Sequence, residues 1–184
     1  LDGWAVQVGG DIFISGDWYI SPFVIGISGD DGLNSVLEGD RNVTERQRFR
    51  GFLGVVPYLD HTNIFFNGGL GQHFSNRTMS LSGLAGRGVA AAGFSATGTL
   101  VQSLSYQGGP SILRALHKGP IGTGTCYGLE LNQSLTYYLD SELSLSIQFD
   151  AFRTSNFFTT SVWNTQTTVQ MSYAPTNDGT PGLG

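Results

Sequence analysis

Charge is scarce in this chain. Charged residues make up 12% of its 184 residues, about half the ~25% of an ordinary soluble domain. Disordered chains are rich in charge and poor in aromatics. Here aromatics reach 12%, which excludes disorder as the organising state. Basic residues are the scarcer sign, 9 Lys and Arg against 14 Asp and Glu, for a net charge of −5. A nucleic-acid binder carries a basic stripe, so no nucleic-acid partner is expected. There is 1 Cys, Cys126, which excludes an internal disulfide and zinc sites built on several thiolates. No cofactor and no metal is expected. Long apolar runs are missing as well. The longest are "FVIGI" at 23–27 and "GVAAAGF" at 88–94, far short of the ~18 residues of a transmembrane helix. The opening "LDGWAVQVGG" has neither the basic start nor the apolar stretch of a signal peptide.

Glycine, by contrast, is abundant. There are 27, about twice average usage, without the G-x-y period of collagen. Mean hydropathy is only −0.02. The period along the chain explains how low charge and modest hydropathy coexist. In 124–139, Tyr127, Leu129, Leu131, Gln133, Leu135, Tyr137 and Leu139 alternate with Cys126, Gly128, Glu130, Asn132, Ser134 and Thr136. That is a strand with one apolar face. In 142–153, Leu143, Leu145, Ile147, Phe149 and Ala151 alternate with Ser144, Ser146, Gln148 and Asp150. A weaker alternation runs over 160–173. Noisier strands are expected at 4–13, 17–27, 47–58, 62–75, 86–94 and 98–106. No convincing amphipathic helix is present. Average strands hold about 5–6 residues, whereas several here are long enough to cross a bilayer at a tilt.

The connections alternate too. Short links are expected at 15–17, 59–62, 95–98 and 140–142, and longer polar or Gly-rich ones at 28–46, 75–86 and 107–123. The link at 154–159 is a short exception. Outer-membrane barrels place short turns at one end and long loops at the other. With the short turns set at one end, Trp18, Tyr19, Tyr58, Tyr137, Tyr138 and Tyr173 fall near it. Trp4, Tyr106, Tyr127 and Trp163 fall near the other. Amphipathic rings prefer the headgroup layers of a bilayer, and barrels carry aromatic girdles at both.

The unit "GLELNQSLTYYLDSELSLSIQFDAF" (128–152) resembles the strand–turn–strand of small OmpA-like and porin-like bacterial outer-membrane barrels. "YLDHTNIFFNGGLGQHFS" (58–75) resembles hairpins of autotransporter translocator barrels as well. The resemblance is one of pattern over most of the chain. It implies an all-β, antiparallel up-and-down transmembrane β-barrel over 1–173 with a flexible tail at 174–184. Two features depart from the family. The chain trails off as "APTNDGTPGLG" rather than ending on an aromatic, and nine strands are counted where bacterial single-chain barrels have even numbers. The expectation is therefore about 8–10 strands, or part of a larger barrel.

Such a barrel needs only one apolar parity, and charges retreat from lipid to loops and interior. Arg48, Arg50, Glu130 and Asp150 fall on the polar parity of their strands. In a small barrel the side chains nearly fill the interior, and buried charges must be paired. The four are expected to form an ionic network that plugs the interior, with a narrow charge-lined pore as the alternative.

One motif could carry chemistry. His73 and Ser75 in "HFSN" (73–76) lie two apart on one strand and share a face. Ester hydrolysis needs a base and a hydroxyl nucleophile so placed. The stretch is similar to the His-x-Ser-Asn of outer-membrane phospholipases and lipid A deacylases, which implies His73 as base and Ser75 as nucleophile. Those enzymes orient the His with an Asn or Glu about a dozen positions on. Here 84–92 reads "LAGRGVAAA" and offers none. Asp30, Asp31 and Asp40 lack EF-hand spacing and read as solvated loop charges. Cys126 reads as a small core residue.

The leading expectation is a non-enzymatic barrel of the bacterial outer membrane: a small channel, membrane anchor or surface-loop scaffold. Its partners would be the lipid bilayer and possible envelope proteins or a passenger segment. The alternatives are an autotransporter-type translocator barrel, an outer-membrane lipid acyl hydrolase and a soluble lipocalin-like or sandwich β protein. In the last class the Leu143, Leu145, Ile147 and Phe149 face would be turned inward.

Overall fold

The computed structural model describes residues 3–29, 88–118 and 123–174. These form a single antiparallel sheet of eight strand segments. They are β1 (Ala5–Gly9), β2 (Ile12–Ser15), β3 (Trp18–Ile27), β4 (Val89–Val101), β5 (Leu104–Arg114), β6 (Cys126–Tyr138), β7 (Leu143–Thr154) and β8 (Trp163–Tyr173). The order is β1-β3-β4-β5-β6-β7-β8, and β2 also pairs with β3. β1 and β2 are thus one strand interrupted at Gly10 and Asp11. Among the described residues there is no helix, and each strand lies beside the next in chain order. The sheet is not closed: β8 forms one edge, and β1 with β2 the other.

Long alternating segments make the longest ladders. β6 and β7 pair from Gly128 opposite Thr154 to Tyr138 opposite Ser144. The turn between them is held by Asp140, whose Oδ1 accepts from the N–H groups of Glu142 (2.8 Å) and Leu143 (2.7 Å). This is the local side-chain-to-backbone bonding that makes Asp a turn residue. At the β2–β3 turn Gly16 takes φ +59°, a conformation that costs glycine no steric penalty.

Two boundaries expected from sequence are corrected. The link at 95–98 does not exist, because β4 runs unbroken from Val89 to Val101 and turns at Gln102–Ser103. Gly98 is not turn punctuation. A Cβ there would collide with the Trp18 ring, so the glycine makes room for the ring to lie across the strand. Likewise Gly108, Gly109 and Pro110, read as the start of a loop, lie inside β5. A Cβ on Gly109 would strike the backbone carbonyl of Phe94. The expected strands at 47–58 and 62–75 lie outside the described residues. β3 pairs directly with β4, from Tyr19 opposite Thr97 to Ile27 opposite Val89, so no strand comes between those two.

The strand ends divide by connection length. The turns after β2, β4 and β6 occupy 16–17, 102–103 and 139–142, all at one end of the sheet. β3, β5 and β7 end at Ile27, Arg114 and Thr154, and the described strands that follow them begin at Val89, Cys126 and Trp163, all at the other end. We call these the short-turn end and the long-connection end.

Candidate functional site

The two faces of the sheet differ in burial, and register assigns residues to each. One face, here called inner, carries Phe23, Gly93, Ser111, Glu130 and Phe152 in one cross-strand row. Toward the long-connection end it is apolar. Ile25, Val89, Leu113, Tyr127, Phe152 and Phe157 form a buried cluster with Phe23. Toward the short-turn end the inner side chains are small and polar. Gln107 pairs with Ser134, Ser134 with Gln148 and Gln148 with Thr168. Thr136 and Ser146 share a hydrogen bond of 2.8 Å.

Glu130 and Asp150 sit between the two regions. Both carboxylates are fully buried. Asp150 pairs with Asn132, and Glu130 with Phe152 two positions along. The two acids are therefore diagonal neighbours on the inner face. Gln148 Nε2 donates to Asp150 Oδ2 at 2.8 Å. Arg48 and Arg50, expected to complete the network, lie outside the described residues, as do His73, Ser75 and Tyr58.

The outer face is apolar and exposed. Leu135, Ile147 and Val169 stand side by side on β6, β7 and β8, with 42%, 49% and 65% of their surface accessible. Tyr137, Phe149 and Met171 extend the same surface. Toward the short-turn end large side chains thus point away from the interior and serines, threonines and amides point into it, whereas toward the long-connection end the inner face is apolar as well.

The aromatic residues gather at the ends. Trp18 and Tyr106 lie 6.3 Å apart between ring centroids, with Tyr19, Tyr137, Tyr138 and Tyr173 on the same short-turn end. Tyr106 was expected at the opposite end. Its place changes because the β4–β5 turn is at 102–103 rather than 95–98. Trp4 and Trp163 stand at the long-connection end, 49% and 58% exposed. Tyr127 differs from its expected place in the outer ring. A register shift between Leu113 and Arg114, which lie opposite Gly128 and Cys126, makes a bulge at Tyr127, and its ring turns inward. The hydroxyl donates to Gly88 O at 3.1 Å, and the ring packs on Phe157 at 4.4 Å. Cys126 is half-buried beside it.

No protein-family model, curated protein or solved structure matches this chain. Among the described residues no group of three His, Cys, Asp or Glu could hold a metal ion, and no helix is long and apolar enough to cross a membrane. The distinctive feature is thus the pair of faces. Pattern alone missed the inward-turned aromatics at 157–158, because "TSNFF" reads as a link. Two adjacent phenylalanines in a connection were the available signal.

Proposed function

We propose that this chain is an integral membrane β-protein of the outer-membrane barrel type, placed in the bacterial outer membrane. In this reading it is an anchor that presents its long connections on one surface. The observation that carries the reading is the exposed outer row of Leu135, Ile147 and Val169 set against the polar inner row of Gln107, Ser134, Gln148 and Thr168. In water such a contiguous apolar surface favours association. Facing acyl chains it has no desolvation cost. Segregation of the long connections to one end supports the same topology, and the Trp and Tyr at both ends suit two headgroup layers.

Closure follows from the chemistry of the solvent. Open edges leave backbone N–H and C=O groups unpaired, which hydrocarbon does not satisfy. Every neighbouring pair in the sheet is antiparallel, so β8 runs in the same direction as β1 and β2. Antiparallel closure therefore takes an odd number of additional strands, which gives the even total usual for such barrels.

Anchor is favoured over open channel by the apolar cluster at the long-connection end, where Tyr127, Phe152 and Phe157 fill the inner face. We extend the proposal to the interior charges. Glu130 and Asp150 are compensated within the interior, as buried carboxylates must be. Charge reversal at Glu130 (Glu130→Arg) is expected to abolish folding.

The test of the membrane reading is vesicle flotation together with heat-modifiable migration on SDS gels. Refolded protein is expected to float with phosphatidylcholine vesicles and to migrate differently before and after boiling. A protein that stays soluble without detergent, does not float and shows no shift would defeat the proposal.

A further inference from the structure

One row on the outer face breaks the apolar pattern. Ile112, Leu129, Arg153 and Trp163 are paired in sequence across β5, β6, β7 and β8. Three are apolar or aromatic, and the fourth is a guanidinium. Beside this row lies a cavity of about 490 Å³. Ile112 and Leu129 line its apolar side, and Arg153, Thr160 and Ser161 its polar side. Arg153 is held in place, with its Cζ 5.8 Å from the Trp163 ring centroid and its Nε donating to Ser161 Oγ at 3.3 Å. That bond uses one of the five donors of a guanidinium. A cation on a lipid-facing strand is costly at the midplane and nearly free at the interface, and Trp163 beside it is a residue of the interface.

We propose that this cavity holds the phosphate-bearing headgroup of an anionic lipid, anchored by Arg153. The proposal rests on the lipid-facing reading of the outer face. The lining divides as an amphiphile does. Ile112 and Leu129, both exposed, meet the first acyl carbons. The guanidinium and the Thr160 hydroxyl meet the phosphate, while Ser161, which donates to Thr154 O at 2.9 Å and accepts from Arg153 Nε, holds the guanidinium in place. A guanidinium offers a phosphate two parallel N–H donors, which an ammonium does not. The ligand is thus a phospholipid of net negative charge, because a zwitterionic lipid offers the same phosphate oxygens but brings a second cation up to the guanidinium.

The test is native mass spectrometry of the detergent-solubilised chain with phosphatidylglycerol, phosphatidylcholine or inorganic phosphate as probe. The wild type is expected to retain phosphatidylglycerol in preference to phosphatidylcholine. Arg153→Gln is expected to lose about tenfold in retention, the size of one charge-assisted contact. Arg153→Lys should keep part of it. Arg114→Gln should keep all of it, since Arg114 sits at the same end but does not line the cavity. Equal retention by Arg153→Gln, with heat-modifiable migration showing it folded, overturns the proposal. So does displacement of the lipid by millimolar inorganic phosphate, which would mark a free-phosphate site. A protein that floats with phosphatidylcholine vesicles but shows no phosphatidylglycerol preference defeats this inference alone. One that does not float defeats the membrane reading beneath it.

Discussion

At the scale of single residues, the outer face supplies the sharpest contrast between water and lipid. Ile147 is 49% exposed. Were it in water, replacing it by a charged residue would fall within about 0.5 kcal/mol of neutral. In a bilayer, Ile147→Arg is expected to cost about 2–4 kcal/mol near the midplane, measured by denaturant unfolding from vesicles. Gly98→Val is expected to lose about 1–3 kcal/mol through overpacking, because its side chain enters the space of the Trp18 ring. A shifted Trp emission should accompany the loss. Inside, Tyr127→Phe removes the donor to Gly88 O. It should cost about 1–3 kcal/mol, the penalty of a buried carbonyl left unpaired.

At the scale of elements, the turns carry testable chemistry. Asp17 in the β2–β3 turn has its carboxyl held below its ordinary 3.8. The first cause is the Thr99 side-chain hydrogen bond, followed by a bond to its own backbone. A lowered carboxyl contributes stability above its unfolded value and loses it as pH falls through the folded value. Thr99→Val is therefore expected to leave the unfolding midpoint less sensitive to acid below 3.8 than in the wild type. Urea titrations at a series of pH values check this. The β6–β7 hairpin was legible in the sequence because Leu135, Tyr137, Leu145 and Ile147 alternate with Ser134, Thr136, Ser144 and Ser146. Hydropathy contrast defined both its strands and its turn. The β4–β5 hairpin was not. Between Ala90 and Gly98 the chain is mostly Ala, Gly, Ser and Thr, whose contrast is too small for a period to be seen. There the deciding factor was a long-range contact, Trp18 over Gly98, which no local window contains. The bulge at Tyr127 failed for the same reason, since its inward turn depends on pairing with β5 and on Phe157.

At the scale of the whole molecule, low charge and modest hydropathy resolve into an apolar outer face and an inner face that is polar toward the short turns and apolar toward the long connections. The acids at Glu130 and Asp150 were readable as interior from parity alone, and both are fully buried. The apolar cluster at the long-connection end was not readable, because it draws Phe157 from a connection and Tyr127 from a register shift. Everything proposed for the outer face depends on its contact with lipid. Its most direct test is a cysteine scan of β7 from Leu145 to Asp150 in a Cys126→Ser background. Each site would be spin-labelled and read in phospholipid bilayers with oxygen and with a polar relaxing agent. Labels at 145, 147 and 149 are predicted to be oxygen-accessible, and those at 146, 148 and 150 shielded from it, a period of two. Uniform access of the polar agent to 145, 147 and 149 would contradict that contact.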